Sequence, residues 1–384
     1  MQAVILAAGE GRRVRPLTWS RPKAMIPVAN RPIIGYTIDA LVKNGIRNII
    51  VVVGYRQEQV TRYLNMLDLP IDVVVQDKQL GTAHALQQAE QKITGDFLVL
   101  PGDNYIDAES VARIKEIPNA ILIKDHPNPS NFGVVSVENG QVNSIVEKPA
   151  HAPSFQVSTG IYSLNTDFFK YMQGNMMTEA LSCMINAGIR ISAVRADDWQ
   201  DAIYPWDLLR LNQRLLRHIP AARDGTASRY ATIEGRVHIG KGSCIGPNTV
   251  ISGPVIIGND CTIGPNCCIQ PGTSIGSRVT IESMSVVGNA IVMDDTKISS
   301  HSRIVDSVVG ERCTLADHTS TTTAGGLLEI EGVPTRSEMG VILGDNVKSG
   351  AFTLFKNCII GNNVSLEGFC DVHNRNIPDN TLVI

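Results

Sequence analysis

Between residues 239 and 293 a large apolar side chain returns every six residues: Ile239, Ile245, Ile251, Ile257, Ile263, Ile269, Ile275, Ile281, Val287 and Met293. A repeat this short and regular restricts the chain to an architecture in which one small unit stacks on the next. Four residues after most of these positions stands a small or slim side chain: Ser243, Thr249, Val255, Cys261, Cys267, Thr273, Val279 and Ser285. Glycine follows the aliphatic residue at 240, 246, 258, 264, 276 and 288, where a corner requires positive φ or close backbone approach. This is the hexapeptide pattern of a parallel β-helix, with large inward residues in a ladder and small ones between them. The period slips by one residue at Ile298 and continues through Ile304, Val309 and Leu315. It breaks at "TAGGLLEIEGVPTRSEMG", where a projecting loop is expected, and resumes at Leu343 and again at Leu354, Ile360, Leu366 and Val372.

The preceding half has a different rhythm. Short β-branched runs at 3–8, 48–53, 71–75, 97–100 and 120–123 alternate with amphipathic stretches near 32–44, 57–66 and 82–92. Strands separated by helical crossovers predict a mostly parallel sheet with helices on both faces. "FGVVSVENGQVNSIVEKP" then places two strands about an Asn-Gly turn, so an antiparallel piece extends the sheet. Helices near 166–172, 175–187 and 205–217 close this domain. The expected organisation is a first domain over 1–218, a Pro-, Gly- and Ser-containing linker over 219–235 and a β-helix over 236–384.

A chain of 384 residues favours two domains, and the formal charge of −3 excludes bulk nucleic-acid binding by a basic field. No basic leader with an apolar segment opens the chain and no stretch is long enough to cross a bilayer, so a cytoplasmic protein without a membrane partner is expected. The eight cysteines include no CxxC and no zinc-spaced cluster, and are read as reduced thiols. Those at 244, 261, 267, 268, 358 and 370 fall in the coils, where cysteine acts as a small hydrophobe.

The opening stretch, "AVILAAGEGRRVRPLTWSRPKAM", sets a Gly-x-Gly turn after an apolar strand and follows it with Arg12, Arg13, Arg15, Arg21 and Lys23. It lacks both the P-loop pattern and the third glycine of a dinucleotide fingerprint. What remains is a glycine turn followed by cations, suited to phosphate oxygens. The longer run "LAAGEGRRVRPLTWSRPKAMIPVANRPII" resembles the signature of the sugar-1-phosphate nucleotidylyltransferases. "QLGTAHAL", "LPGDN", "VEKP", "STGIY" and "WQDAIYPWDLL" resemble later pieces of that family, in its order. The resemblance covers nearly the whole chain. It implies a Rossmann-like, GT-A-like mixed α/β sheet domain followed by a left-handed parallel β-helix.

The reaction implied joins a nucleoside triphosphate, UTP or dTTP, to glucose 1-phosphate or N-acetylglucosamine 1-phosphate and releases pyrophosphate. The attacking phosphate oxygen is already ionised, so positioning and charge neutralisation carry catalysis. By resemblance, Arg13 grips the triphosphate, Lys23 stabilises charge at the α-phosphate, and Asp103 and Asp201 hold Mg²⁺; Ile203 stands where glycine is common after the second aspartate. Leu6, Ala7, Ala8, Gly9 and Gly11 supply the nucleotide turn, while Gln76, Gly81 and Thr82 would read a pyrimidine edge. Glu147, Lys148, Thr159 and Gly160 would line the sugar-phosphate pocket. Arg12 and Arg15 are either further cations of the site or solvent-facing side chains.

The resemblance further implies a homo-oligomer built through the β-helix, a trimer being favoured. Bifunctional members also use a β-helix histidine to acetylate an amino sugar phosphate with acetyl-CoA, and His318 in "ADHTSTTTAGG" stands at the matching point, although Thr321 replaces that motif's tyrosine. A non-catalytic assembly or regulatory subunit of the same fold is the alternative of a different class; it should have lost Arg13, Lys23 or Asp103, and all three are present.

Overall fold

The computed structural model describes residues 1–384. Its contacts divide the chain into two compact units: Met1–Glu10, Arg21–Met25 and Ile33–Asp201 form the first, and Gly11–Ser20, Ile26–Pro32 and Ala202–Ile384 the second. Sequence order alone assigns 11–20, 26–32 and the helix at 207–216 to the first domain, whereas their contacts group them with the coils.

The first unit is built on a nine-stranded mixed sheet. Its order is Ile71–Val75, Ile49–Val53, Gln2–Ala7, Phe97–Pro101, Gln156–Leu164, Ala120–Asp125, Ser192–Arg195, Gln141–Glu147 and Gly133–Glu138. The first four strands run parallel because helical crossovers join them. Ile49–Val53 is apolar and buried throughout, as a strand covered on both faces must be. The Asn139-Gly140 turn, with φ of 50° and 76°, forms the expected hairpin. A short antiparallel ribbon, Asn104–Ile106 with Trp199–Asp201, lies outside the main sheet.

The second unit is a parallel β-helix. Val237 lies opposite Val255 and Cys244 opposite Thr262. Coil-to-coil hydrogen bonds accordingly step by 18 residues in the early turns and by 17 in later ones. The inward ladder is the expected aliphatic one, and the small residues between are buried as well, Ser243 and Thr249 donating their hydroxyls to the carbonyls of Gly258 and Gly264 at 2.7 Å. Cys261, Cys267 and Cys358 are buried, but Cys244 is exposed and points outward rather than filling the ladder.

Three expectations are corrected in this unit. Val292, opposite Ile275, is the ladder residue instead of Met293, because one corner has lost a residue inside the continuous strand Val286–Val292. Phe355, opposite Thr321 and Val372, takes the place expected for Leu354. Residues 219–235 contain the first coil: Ala222–Arg223, Thr226–Ala227 and Thr232–Glu234 pair in parallel with Val237–Ile239, Cys244–Ile245 and Val250–Ser252. At the break in the repeat the chain forms a hairpin, Ala324–Ile330 with Val333–Met339, after which Ile342 pairs with Val308 and the coil continues. Helix Asp207–Leu216 packs on this unit through the fully buried Asn212, which accepts the Ala29 N–H (2.8 Å) and the Ser274 hydroxyl (2.6 Å) and donates to the Gly272 carbonyl (2.9 Å).

Candidate active site

Four parallel strands end together, with Ala7 opposite Val53, Val53 opposite Val75 and Leu6 opposite Pro101. The chain leaving these ends carries Ala8 and Gly9, Gly54, Gln76, and Gly102 with Asp103. Ligands of open α/β sheets bind at this carboxyl edge. The turns are tied to one another: Tyr55 N–H donates to the Ala8 carbonyl at 3.1 Å, and Gly102 N–H to that of Leu6 at 2.9 Å. Only glycine fits at 54, since a Cβ there would lie 2.9 Å from the Ala8 oxygen.

The pairing of Asp201 with Asn104 brings a carboxylate from far along the chain beside Asp103. Between them lies Lys23, in the short turn Lys23–Met25, its Nζ 2.7 Å from Asp201 Oδ1 and 3.1 Å from Asp103 Oδ2. Burial alone would lower the Lys23 ammonium, but the two carboxylates outweigh it and the pKa is raised, so the side chain stays charged. Both aspartates therefore already converge on one positive centre. Two carboxylate oxygens facing a common point, with no third carboxylate, histidine or cysteine in the group, are a donor set that fits a hard divalent ion retaining water and phosphate ligands.

The other predicted positions fall into two local groups. Gln76, buried, donates from Nε2 to the Gly81 carbonyl at 3.1 Å and lies 2.8 Å from His84 Nδ1; Thr82 Oγ1 accepts the Met177 N–H at 3.1 Å. On the other side, the Thr159 carbonyl accepts Asn104 Nδ2 at 3.2 Å, which joins the Thr159-Gly160 bulge to the residue after Asp103. Gly160 has φ 78°, and a Cβ there would meet the Pro101 ring at 2.8 Å. The Thr159 hydroxyl donates to the Leu122 carbonyl (2.8 Å), so toward a ligand it can act only as an acceptor. Glu147 and Lys148 pair at 3.3 Å, both partly exposed.

Gly11, Arg13 and His318 belong to the second unit. Gly11 adopts φ 70° and opens the turn Arg12–Val14; Arg12, Arg13 and Arg15 line a cleft of about 440 Å³ together with Glu329, Glu331 and Asp379. His318 is exposed at a coil corner and stacks between His301 (5.0 Å) and Phe352 (4.5 Å), while Thr321 is buried with its hydroxyl on the Val305 carbonyl.

Two residues near the paired aspartates take no role from the sequence, one inside a quoted motif and one outside any. Asn104 is buried and orients the Thr159 bulge. His126 packs edge-on to Phe132 at 4.7 Å and to Trp199 at 6.4 Å, and nothing in "KDHPNPSN" marks it. Burial pushes its imidazole below the usual 6.5, partly countered by Asn128 and the Asp201 carboxylate. The unfolded chain therefore takes up this proton more readily, and stability falls as pH drops through 6.5. The melting temperature should decrease from about pH 7 to about pH 5, with a smaller decrease in His126→Gln; equal slopes would remove this residue as the cause.

A mixed sheet presenting a buried lysine and two carboxylates at its strand ends, in a chain that also carries a parallel β-helix, defines the class: an enzyme of nucleotidyl transfer. Residues 2–217 match the nucleotidyl transferase family, and the chain belongs to it. Residues 251–377 match the GMPPB C-terminal domain. A relative from Methanococcus maripaludis, described as the bifunctional protein GlmU, is 35% identical over 96% of this chain and 97% of its own. UTP–glucose-1-phosphate uridylyltransferase AglF of Haloferax volcanii is 36% identical over 56% of this chain and 96% of its own. A solved structure described as a glucose-1-phosphate thymidylyltransferase from Bacillus anthracis, in complex with a sucrose, superposes with a TM-score of 0.52 at 25% identity, covering 58% of this chain and 98% of that one.

Proposed function

We propose that the protein condenses UTP or dTTP with a sugar 1-phosphate, glucose 1-phosphate or N-acetylglucosamine 1-phosphate, and releases pyrophosphate. The observation that carries this reading is the Lys23 ammonium held between Asp103 and Asp201 at the sheet edge. The incoming phosphate oxygen is an anion near neutral pH, so no side chain need remove a proton. Lys23 lies buried and charged where it can meet the negative charge gathering on the α-phosphate, and it needs no reorganisation to do so. Arg13 takes the triphosphate, with Leu6, Ala7, Ala8, Gly9 and Gly11 shaping the turn. Gln76, Gly81 and Thr82 face the base, and Glu147, Lys148, Thr159 and Gly160 the sugar phosphate. Asp103 and Asp201 would hold Mg²⁺, which when bound supplies neutralising charge to the phosphates and the departing pyrophosphate.

The test is a panel of UTP, dTTP, CTP and GTP with Mg²⁺ and each sugar phosphate, followed by pyrophosphate release. Activity confined to UTP or dTTP supports the reading; no pyrophosphate from any pair overturns it. A second activity, acetylation of glucosamine 1-phosphate by acetyl-CoA with His318 as base, is favoured by the end-to-end similarity to a relative described as bifunctional. The burial of Thr321 argues that any such site is built differently from the tyrosine-containing motif. Acetyl-CoA consumption with glucosamine 1-phosphate tests this second activity, and none in the active enzyme removes it. A cytoplasmic homo-oligomer, with a trimer favoured, completes the reading; no helix is long and apolar enough to cross a membrane, and Met284, Phe352 and Phe369 expose apolar surface along one corner of the coils.

A further inference from the structure

At one corner of the β-helix, most coils fasten to the next through an Asn, Asp or Ser side chain that accepts a backbone N–H from the coil before. Asn259 Oδ1 takes Lys241 N–H at 2.9 Å and Asp294 Oδ1 takes Ser277 N–H at 2.9 Å. Asp345 Oδ1 takes Glu311 N–H at 2.8 Å and Asn362 Oδ1 takes Asp345 N–H at 2.7 Å. One oxygen per residue is enough for this ladder. In Asp294 the second oxygen accepts from Arg278, on the same corner.

In the two later coils the second polar atom has a further use, although Asp345 Oδ2 also lies 4.0 Å from Arg312 Nη2. Asp345 Oδ2 accepts the Ser20 hydroxyl at 2.6 Å, and Asn362 Nδ2 donates to the Pro16 carbonyl at 3.3 Å. Both side chains are buried, at 2% and 8% exposure, so these bonds are screened from competing water. The Asn362 amide cannot turn round, because its oxygen is fixed by Asp345 N–H and its nitrogen also faces Asp379 Oδ1 at 3.2 Å. Pro16 and Ser20 belong to the segment that follows the Gly-x-Gly turn and carries Arg12, Arg13 and Arg15. Within itself that segment makes turn-scale bonds, such as Val14 N–H to the Gly11 carbonyl at 3.0 Å and the Thr18 hydroxyl to the same carbonyl at 2.9 Å, and Arg15 stacks over the Trp19 ring at 3.7 Å.

We propose that Asp345 and Asn362 are positioning residues for nucleotide binding: the β-helix holds the arginine segment in its binding conformation before the triphosphate arrives. The proposal rests on the reading of residues 9–13 as the triphosphate turn. Val14, Leu17 and Thr18 are buried and keep the segment packed, so loss of the two anchors loosens its conformation instead of unfolding it, and apparent affinity falls with the fraction of time the competent form is populated. The sugar phosphate, assigned to Glu147, Lys148, Thr159 and Gly160, does not share this cost.

Two variants cut the anchors. Ser20→Ala leaves Asp345 on Glu311 N–H and the ladder intact; Asn362→Asp keeps the Oδ1 acceptor but sets a carboxylate against both the Pro16 carbonyl and Asp379 Oδ1, so its ladder is strained as well. Steady-state pyrophosphate release should show KM for the nucleoside triphosphate raised about 10-fold, with KM for the sugar phosphate within about twofold. Ser20→Thr, which keeps the hydroxyl, should restore the wild-type value. An unchanged nucleotide KM in the folded variants overturns the proposal, as does an equal rise in both KM values accompanied by a lower melting temperature. Should Asn362→Asp fail to fold, Ser20→Ala and Ser20→Thr decide alone. A wild-type protein inactive with every triphosphate would instead overturn the reading of the site itself.

Discussion

Replacing Lys23 with methionine should move two readouts in opposite directions. The chemical step should slow by roughly 10²–10³-fold, the loss seen when one preorganised electrostatic group is removed from a transition state. Binding of the divalent ion should tighten by on the order of 10-fold or more, because two carboxylates that had shared an ammonium would face each other with no cation between them. The distances require this competition: Nζ lies 2.7 and 3.1 Å from the oxygens that would hold the metal. Pyrophosphate release at saturating Mg²⁺ reports the first effect and titration with Mn²⁺ the second. Near-normal turnover would remove Lys23 from catalysis. Slow turnover without tighter metal binding would mean that the lysine acts elsewhere and that its contact with the aspartates is incidental.

Asp103→Asn should have the complementary effect. Asparagine keeps the shape but gives up the charge, so the divalent concentration for half-maximal rate should rise by at least the 10–100-fold that loss of a mere outer partner costs at metal sites. The rate at saturating metal should recover only in part, since Lys23 would then be drawn to Asp201 alone. Because the asparagine leaves Asp201 in place, the fold should survive, and near-ultraviolet circular dichroism should match the parent. A variant with unchanged metal dependence would show that Asp103 does not hold the ion, and the assignment of the pair would fall.

The parts of this molecule readable in advance are those in which a residue's role depends on its own neighbours in the chain. The ladder of isoleucines is one, because each coil repeats the same inward position. The Asn139-Gly140 hairpin is another. The errors fall where two adjacent residues are both apolar and a coil has changed length: Met293 and Val292 are equally suitable to fill a core, and only the pairing of Val292 with Ile275 shows which one does. The first coil escaped notice for a related reason. It sets Arg223 and Ala227 opposite Ile239 and Ile245, with only Ile233 opposite Ile251 continuing the aliphatic run, and its order comes from backbone pairing to the next coil.

The site divides in the same way. Lys23 and Asp103 stand in recognisable local motifs, whereas the closeness of Asp201 depends on an antiparallel register across almost one hundred residues, from Asn104 to Asp201. His126 has no local mark, since its environment is made by Phe132 and Trp199. The grouping of residues 11–20 with the coils is a matter of contacts made more than three hundred positions away, as between Pro16 and Asn362.

The hairpin at Ala324–Met339 leaves a coil at one vertex and returns so that the pairing of Val308 with Ile342 is undisturbed. A vertex of this kind is a port in the scaffold. Chain can be spliced in or trimmed there without retuning the column beneath, so attachments of different reach can evolve, or be grafted, on an unaltered spine.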